Sequence, residues 1–342
     1  MKRIAVVVGL AVIATLGIPQ VGTVGAETLP KILNMGTMPA GTLVNIQGTG
    51  IADTISKFSP MSVKIKAVTS EEVWVPMTLT GEVDLGVAVS LTMRNAYLGI
   101  QVYKPIAEKV GVKDFPLRLL TAGTPVRISL LVQGESPLNK ISDLKGKTLA
   151  WFADKTAFDL YTRALAANGG LTEQDVKKFP VANPADATRA VMDANADACM
   201  VAVDAPVVAE AVAKVKARWL PVDGSAEAVN RLQQVISTAY VETCPGGRFV
   251  GVPKDQPFMY LDVYLVGHSK LPDAVAYEVT KTLWAHDDDL VTRAMLKEWV
   301  TDRFVSKHAS VPYHPGAIKF YKEKGVWTQE MEDLQTKLLA QR

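Results

Sequence analysis

The sequence predicts an α/β fold in two lobes with a cleft between them, and three observations carry that prediction. Short apolar runs rich in β-branched residues alternate with longer amphipathic stretches, the pattern of βα units and a largely parallel sheet. At 342 residues the chain is long enough for two such blocks. No low-complexity linker separates them, so strands that cross from one lobe to the other should join the blocks.

The elements follow in order. Ile32–Met35 reads as a strand, then the loop Gly36–Gly41 and a helical stretch into Lys57. Ser62–Ala67 alternates, with Val63, Ile65 and Ala67 on one side. A helix around Val73–Thr80 leads to the buried strand Leu85–Val89 and a short helix, Leu91–Leu98. Leu117–Ala122 and Ile128–Val132 are strands flanking Gly123-Thr124-Pro125. The middle third repeats the motif. The strand Thr148–Phe152 precedes a helix from about Thr156 to Asn168, which Gly169-Gly170 ends. Phe179–Val181, a helix from Pro184 to Asn195, and the strand Ala198–Val203 follow. After strands at Ser237–Val241 and Leu261–Val266 the chain turns helical, over Pro272–His286, Asp289–Val300, Pro315–Lys324 and Thr328–Leu339. These elements place lobe 1 at 27–126 plus 238–342 and lobe 2 at 127–237.

The start of the chain points to secretion. Lys2 and Arg3 precede the apolar run Ile4–Ile18, and Val24-Gly25-Ala26 supplies the small residues of a cleavage site, so residues 1–26 read as a signal peptide. A membrane anchor is the other reading, but Pro19 ends a run shorter than the roughly 20 residues a span needs. Removing the leader takes Lys2 and Arg3 and leaves 35 basic against 35 acidic residues. A balanced chain without a basic stripe argues against nucleic-acid binding. Cys199, in an apolar run, and Cys244, before a turn, read as separate free thiols rather than a bridge.

No enzyme signature is present: no G-x-S-x-G, no H-E-x-x-H, and no lysine closing a glycine-rich phosphate loop. His268, His286, His308 and His314 do not pair with one another at metal-ligand spacing. Asp287-Asp288-Asp289 could hold a cation but reads more simply as helix capping. Catalytic residues, metals and cofactors are therefore not expected. In open α/β sheets ligands sit at strand carboxyl ends and helix N-termini. Two loops of that kind are Gly36–Thr42 and Thr69-Ser70-Glu71-Glu72, each placed after a strand and before a helix.

In order along the chain, Thr80–Gly86, Ala96-Tyr97-Leu98-Gly99, Asp143–Lys147, Pro245-Gly246-Gly247 and the ending Pro312-Tyr313-His314-Pro315-Gly316-Ala317 with Tyr321–Trp327 form a set. With them the chain resembles the TAXI family, solute-binding subunits of one branch of the tripartite ATP-independent periplasmic (TRAP) transporters. The D-L-K-G-K piece is common to many binding proteins, whereas the C-terminal ending is specific. The resemblance implies a type II periplasmic-binding-protein fold, a small anionic solute held between the lobes, and delivery in the periplasm to the membrane subunits of a TRAP permease. The protein is expected to act as a monomer, with no nucleic-acid partner.

The departures from the family fall where a ligand would be touched. Leu43-Val44 follows Gly41-Thr42 in place of a Tyr-Tyr pair, Trp74 stands at an Asn position, and the second-lobe loop is Trp151–Thr156 rather than Gly/Ser-rich. Expected ligand contacts are Thr37, Thr42, Thr69, Ser70, Trp74, Ser90, Arg127, Phe152, Lys155, Thr156 and Asp204. Arg127, at the presumed crossing, could grip a carboxylate with two hydrogen bonds, or be a solvated edge arginine. Trp74 and Phe152 read equally as ligand stackers or as lobe packing. Lys155 suits an anion near a helix start or stands solvated, and Asp204 orients Arg127, accepts from a ligand hydroxyl, or more simply caps a helix before Ala205-Pro206. A ligand carrier for a sensor, or a secreted enzyme using the same cleft, are the competing readings.

Overall fold

The structure, a computed structural model, describes residues 28–342 apart from 155 and 294. The expected leader and Lys155 therefore lie outside the described residues.

Five strands build the sheet of lobe 1: β1 (Ile32–Thr37), β2 (Ser62–Ala67), β3 (Leu85–Val89), β4 (Leu117–Ala122) and, from much later in the chain, a strand over Val263–His268. Lobe 2 takes the intervening strands β5 (Val126–Val132), β6 (Thr148–Trp151), β7 (Lys177–Pro180), β8 (Cys199–Ala202), β9 (Arg218–Leu220), β10 (Tyr240–Cys244) and β11 (Gln256–Leu261), so the Val263–His268 strand is β12. The lobe 1 order is β2-β1-β3-β12-β4; lobe 2 has β10-β11-β5-β8 with β9 also on β5, and β6 paired with β7. Each sheet carries its own core. Leu33, Met35, Val87, Leu119 and Leu265 belong to one buried cluster, and Leu130, Leu149, Val201, Leu220 and Met259 to the other. Two separate cores joined by crossing strands are what two lobes with a cleft require.

The sheets are mixed rather than largely parallel. β1 runs parallel to β2 and β3, but β12 is antiparallel to β3 and β4, and β5 is antiparallel to β8, β9 and β11. The reason is connectivity: β5 and β12 enter their lobes from the cleft, whereas β1, β3 and β8 end there.

The return crossing also falls later than expected. β10 and β11 pair within the second sheet, so the chain comes back to lobe 1 at Asp262, not at 238. The two crossings lie side by side: the Gly123 N–H donates to the Val263 carbonyl at 2.9 Å, and the Ser90 N–H to the Asp262 carbonyl at 2.8 Å. The Asp262 carboxylate, itself buried, accepts from Tyr240 at 2.7 Å and from Ser306 at 2.6 Å. It thus ties a lobe 2 strand to the C-terminal segment.

The helix expected over Asp289–Val300 does not form as one piece. Helix is confined to Asp287–Val291 and Thr301–Phe304, and Met295 adopts a left-handed φ of 62° between them. Tertiary packing overrides the helical pattern here. Leu296 fills the space over Gly50, and Trp299 fills that over Gly123 while its indole N–H donates to Thr121 at 3.3 Å. The segment becomes a strap pinned to lobe 1.

Candidate functional site

A cavity of about 390 Å3 opens where the strap meets the crossing. Thr124 and Glu298 line it from lobe 1, and Arg127, Asp204, Val208 and Phe249 from lobe 2. Arg127 is the second residue of β5, in register with Tyr260 of β11. Its guanidinium lies 5.0 Å from the Tyr260 ring centroid and 5.2 Å from that of Phe249, within cation–π range.

The arrangement differs from an open anchor. Arg127 is buried and ion-paired with the equally buried Glu298. Glu298 also receives Arg248 at 2.8 Å and Arg303 at 3.2 Å. Burial opposes the charge on Arg127 most strongly of any single cause, but the Glu298 carboxylate and the Tyr260 hydroxyl together outweigh it and raise the guanidinium pKa. The Arg127 Nε–H has no acceptor among the described residues. Asp204 is exposed at the mouth, yet crowded by protein atoms, and desolvation raises its carboxyl pKa. Arg248 is 40% and Arg303 29% exposed, so two of the three arginines can be reached from solvent.

The other expected contacts spread along the cleft ends of the strands. Thr37, buried at the end of β1, accepts from the Asn45 side chain at 3.0 Å. Thr42 caps the helix Leu43–Phe58, and Thr156 caps Ala157–Asn168, so both hydroxyls already serve backbone N–H groups. Thr69 is exposed, while Ser70 precedes the helix Glu71–Thr80 without a side-chain cap bond. Ser90 is buried, and its hydroxyl has no partner among the described residues.

Trp74 is a correction. It is fully buried between Gly36 and Gly86 in the lobe 1 core, not on the cleft wall. Phe152 is buried too, 5.3 Å from Phe158 and within the lobe 2 core. The acidic pair beginning that helix is also unlike an anion loop: Glu71 occupies its first turn, and burial together with neighbouring Glu72 raises its carboxyl pKa against an opposing backbone hydrogen bond.

Of this ionic cluster, sequence reasoning singled out Arg127 and not Glu298, Arg248 or Arg303. Arg248 follows Pro245-Gly246-Gly247, a motif already singled out, and could have been read from it. Glu298 stood in a stretch that reads as a helix, where a glutamate is unremarkable. The Asp287–Asp289 run is occupied by protein. Asp289 pairs with Lys57 and Arg293, and Asp287 accepts from the Thr301 N–H. Among the described residues no His/Cys/Asp/Glu group could hold a metal ion. No described helix is long and apolar enough to cross a membrane. The Tyr313–Trp327 motif is structural: His314 caps the helix Pro315–Glu323, and Tyr313 and Tyr321 pack against Trp327.

Residues 35–325 match the NMT1-like family. Among solved structures, a TctC solute binding protein from Polaromonas superposes with a TM-score of 0.54 at 14% identity, covering 78% of this chain and 86% of that one. That likeness is one of fold, the two-domain periplasmic-binding-protein architecture. Looser superpositions include the periplasmic aliphatic sulphonate binding protein SsuA from Escherichia coli (TM-score 0.45, 16% identity, 89% and 97% covered). PhnD1 from Prochlorococcus marinus, in complex with methylphosphonate, is another (0.47, 13%, 87% and 100%).

Proposed function

The chain belongs to the NMT1-like family, and from that premise we propose that it is an extracytoplasmic solute-binding protein. It captures a small anionic metabolite between its lobes and delivers it to a membrane permease. The observation that carries this reading is the interlobe cavity with the buried Arg127 in its wall. A cleft at a crossing between lobes is where closure can enclose a solute, and a guanidinium presents paired donors to an oxyanion. The leader-like start supports export to the periplasm. The Pro312–Ala317 and Tyr321–Trp327 ending packs within lobe 1; only its resemblance to the TAXI family supports a TRAP-type permease as the partner.

A thermal-shift screen of carboxylates, sulfonates and phosphonates tests the reading, followed by small-angle scattering with the best binder. We expect at least one organic anion to raise Tm and to reduce the radius of gyration at saturation. If no member of the screen moves Tm, the chain is not a carrier of small anions.

A further inference from the structure

Glu298 and its arginines belong to different lobes. Glu298 sits on the strap, which lobe 1 holds through Trp299 on Thr121 and through the Gln47 side chain, donating to the Met295 carbonyl at 2.9 Å. The Glu298 backbone N–H donates to Thr124 at 3.3 Å. Arg127 comes from β5 of lobe 2 and Arg248 from the loop between β10 and β11. Only Arg303 shares the C-terminal segment. A carboxylate from one lobe thus reaches across the cleft to two guanidinium groups of the other.

The charges around it do not cancel. Three guanidinium groups meet one buried carboxylate, and Lys297 lines the same cavity. Among the residues lining the cavity, the one further anion is Asp204, at the mouth. Arg127 and Glu298 are the buried pair, whereas Arg248, Arg303 and Lys297 keep some exposure, so the cationic excess lies on the solvent-reached side of the cluster, where it favours an incoming anion. Arg127 also keeps an N–H without an acceptor although the residue is 97% removed from solvent, its exposure being 3%. A buried donor left unmet marks a place where an acceptor is wanted. Beside these groups the cavity walls are apolar, with Val203, Val208 and Phe249, so a charged head and a less polar body both have a surface to meet.

We propose that Arg127 and Arg248 form an oxyanion subsite of the interlobe cavity, and that the Glu298 carboxylate is its built-in competitor, displaced by an oxyanion group of the solute. The inference rests on the solute-binding reading for which molecule brings that group. Glu298 makes across the cleft the bond a captured anion makes, so it holds the lobes together in the empty protein. Any anion must exceed that internal bond to be retained, which sets a threshold against weakly held monoanions.

The test uses bare ions on the full mature chain in a buffer of low ionic strength. E298Q keeps the shape of the side chain and removes its charge. Titration calorimetry with inorganic phosphate and with acetate should show E298Q binding at least one of them about tenfold or more tighter than wild type, a change equivalent to about 1.4 kcal/mol. A tetrahedral or a planar preference follows from which ion gains more. Adding R248A, at the half-exposed arginine, should remove the gain. A folded E298Q that binds both ions no better than wild type overturns the proposal, as does a gain that survives R248A. If E298Q does not fold, R248A alone decides. It should abolish the rise in Tm that phosphate gives the wild-type chain, and an undiminished rise would overturn the subsite. Because the probes are inorganic or minimal, a failure here leaves the organic-anion screen to judge the carrier reading separately.

Discussion

Trp74 and Gly86 share one space: a Cβ at Gly86 would come within 2.3 Å of the indole Cη2, and one at Gly36 within 2.7 Å of its Cγ. The tryptophan of helix Glu71–Thr80 therefore lies on the bare backbone of β1 and β3, and the two strands accept it because neither carries a side chain there. A residue that the sequence offers as a ligand stacker instead seals the sheet.

The expected consequence is a loss of stability. Trp74→Ala should cost about 3–5 kcal/mol, as for other buried aromatic truncations. Gly86→Ala should cost about 1–3 kcal/mol through overpacking. Urea unfolding monitored by circular dichroism checks both. A midpoint unchanged in Gly86→Ala would mean the indole has room to move away.

What could be read from the sequence was local. β2, β3 and β4 have the bounds that alternation and apolar runs predict, because each is a short run between clear turn residues. β11 escaped because Pro257 demotes its sequence as a strand. The proline is tolerated within the β10–β11 pairing, where it faces Thr243. The Asp289–Val300 stretch has helical periodicity, but Leu296 and Trp299 each answer to a separate hole in lobe 1. The site failed for the same reason. Arg127 was visible beside a glycine-bearing crossing, whereas its partner Glu298 lies 171 residues away and only the fold brings them together.

The cysteines should be two reduced thiols. Both are buried and unbridged, and burial pushes the Cys199 thiol up to about 12 against the weaker effect of its hydrogen bond with Thr188. A thiol reagent should label neither appreciably in the native protein, because a neutral, buried thiol is unreactive. Both should be labelled after denaturation without reductant. A denatured chain that takes up no label would show a disulfide.

Acid should weaken the fold before ordinary carboxylates titrate. Burial lowers the pKa of His268, His308 and His314, with Lys270 assisting at the first and an acidic neighbour opposing at the other two. In each case the unfolded histidine takes up its proton at a higher pH than the folded one. Their contribution is therefore complete above about pH 6.5 and is lost as pH falls below it. The urea midpoint should drop between about pH 7.5 and 5.5, and His308→Gln, which removes the ring stacked 3.8 Å from Tyr240, should flatten that slope. A midpoint that rises over this interval would contradict the direction.

Arg127 should matter for stability as well as for binding. The sequence places it on an open cleft wall, where its removal would leave the fold untouched; the structure buries it against Glu298. Breaking a buried ion pair costs about 3–5 kcal/mol because the abandoned charge stays desolvated. Arg248 and Arg303 still hold Glu298 in Arg127→Ala, so a loss at or below the bottom of that range, about 2–3 kcal/mol, is expected. Arg127→Lys should recover part of it, since an ammonium supplies the charge but not the planar fork over Tyr260 and Phe249. Removing Glu298 as well should cost less than the sum of the separate losses, because the double variant leaves no carboxylate buried opposite a missing arginine. Denaturant midpoints of the two single variants and the double variant form the cycle. Strict additivity would show that the pair is not coupled and that the cavity wall stands without it.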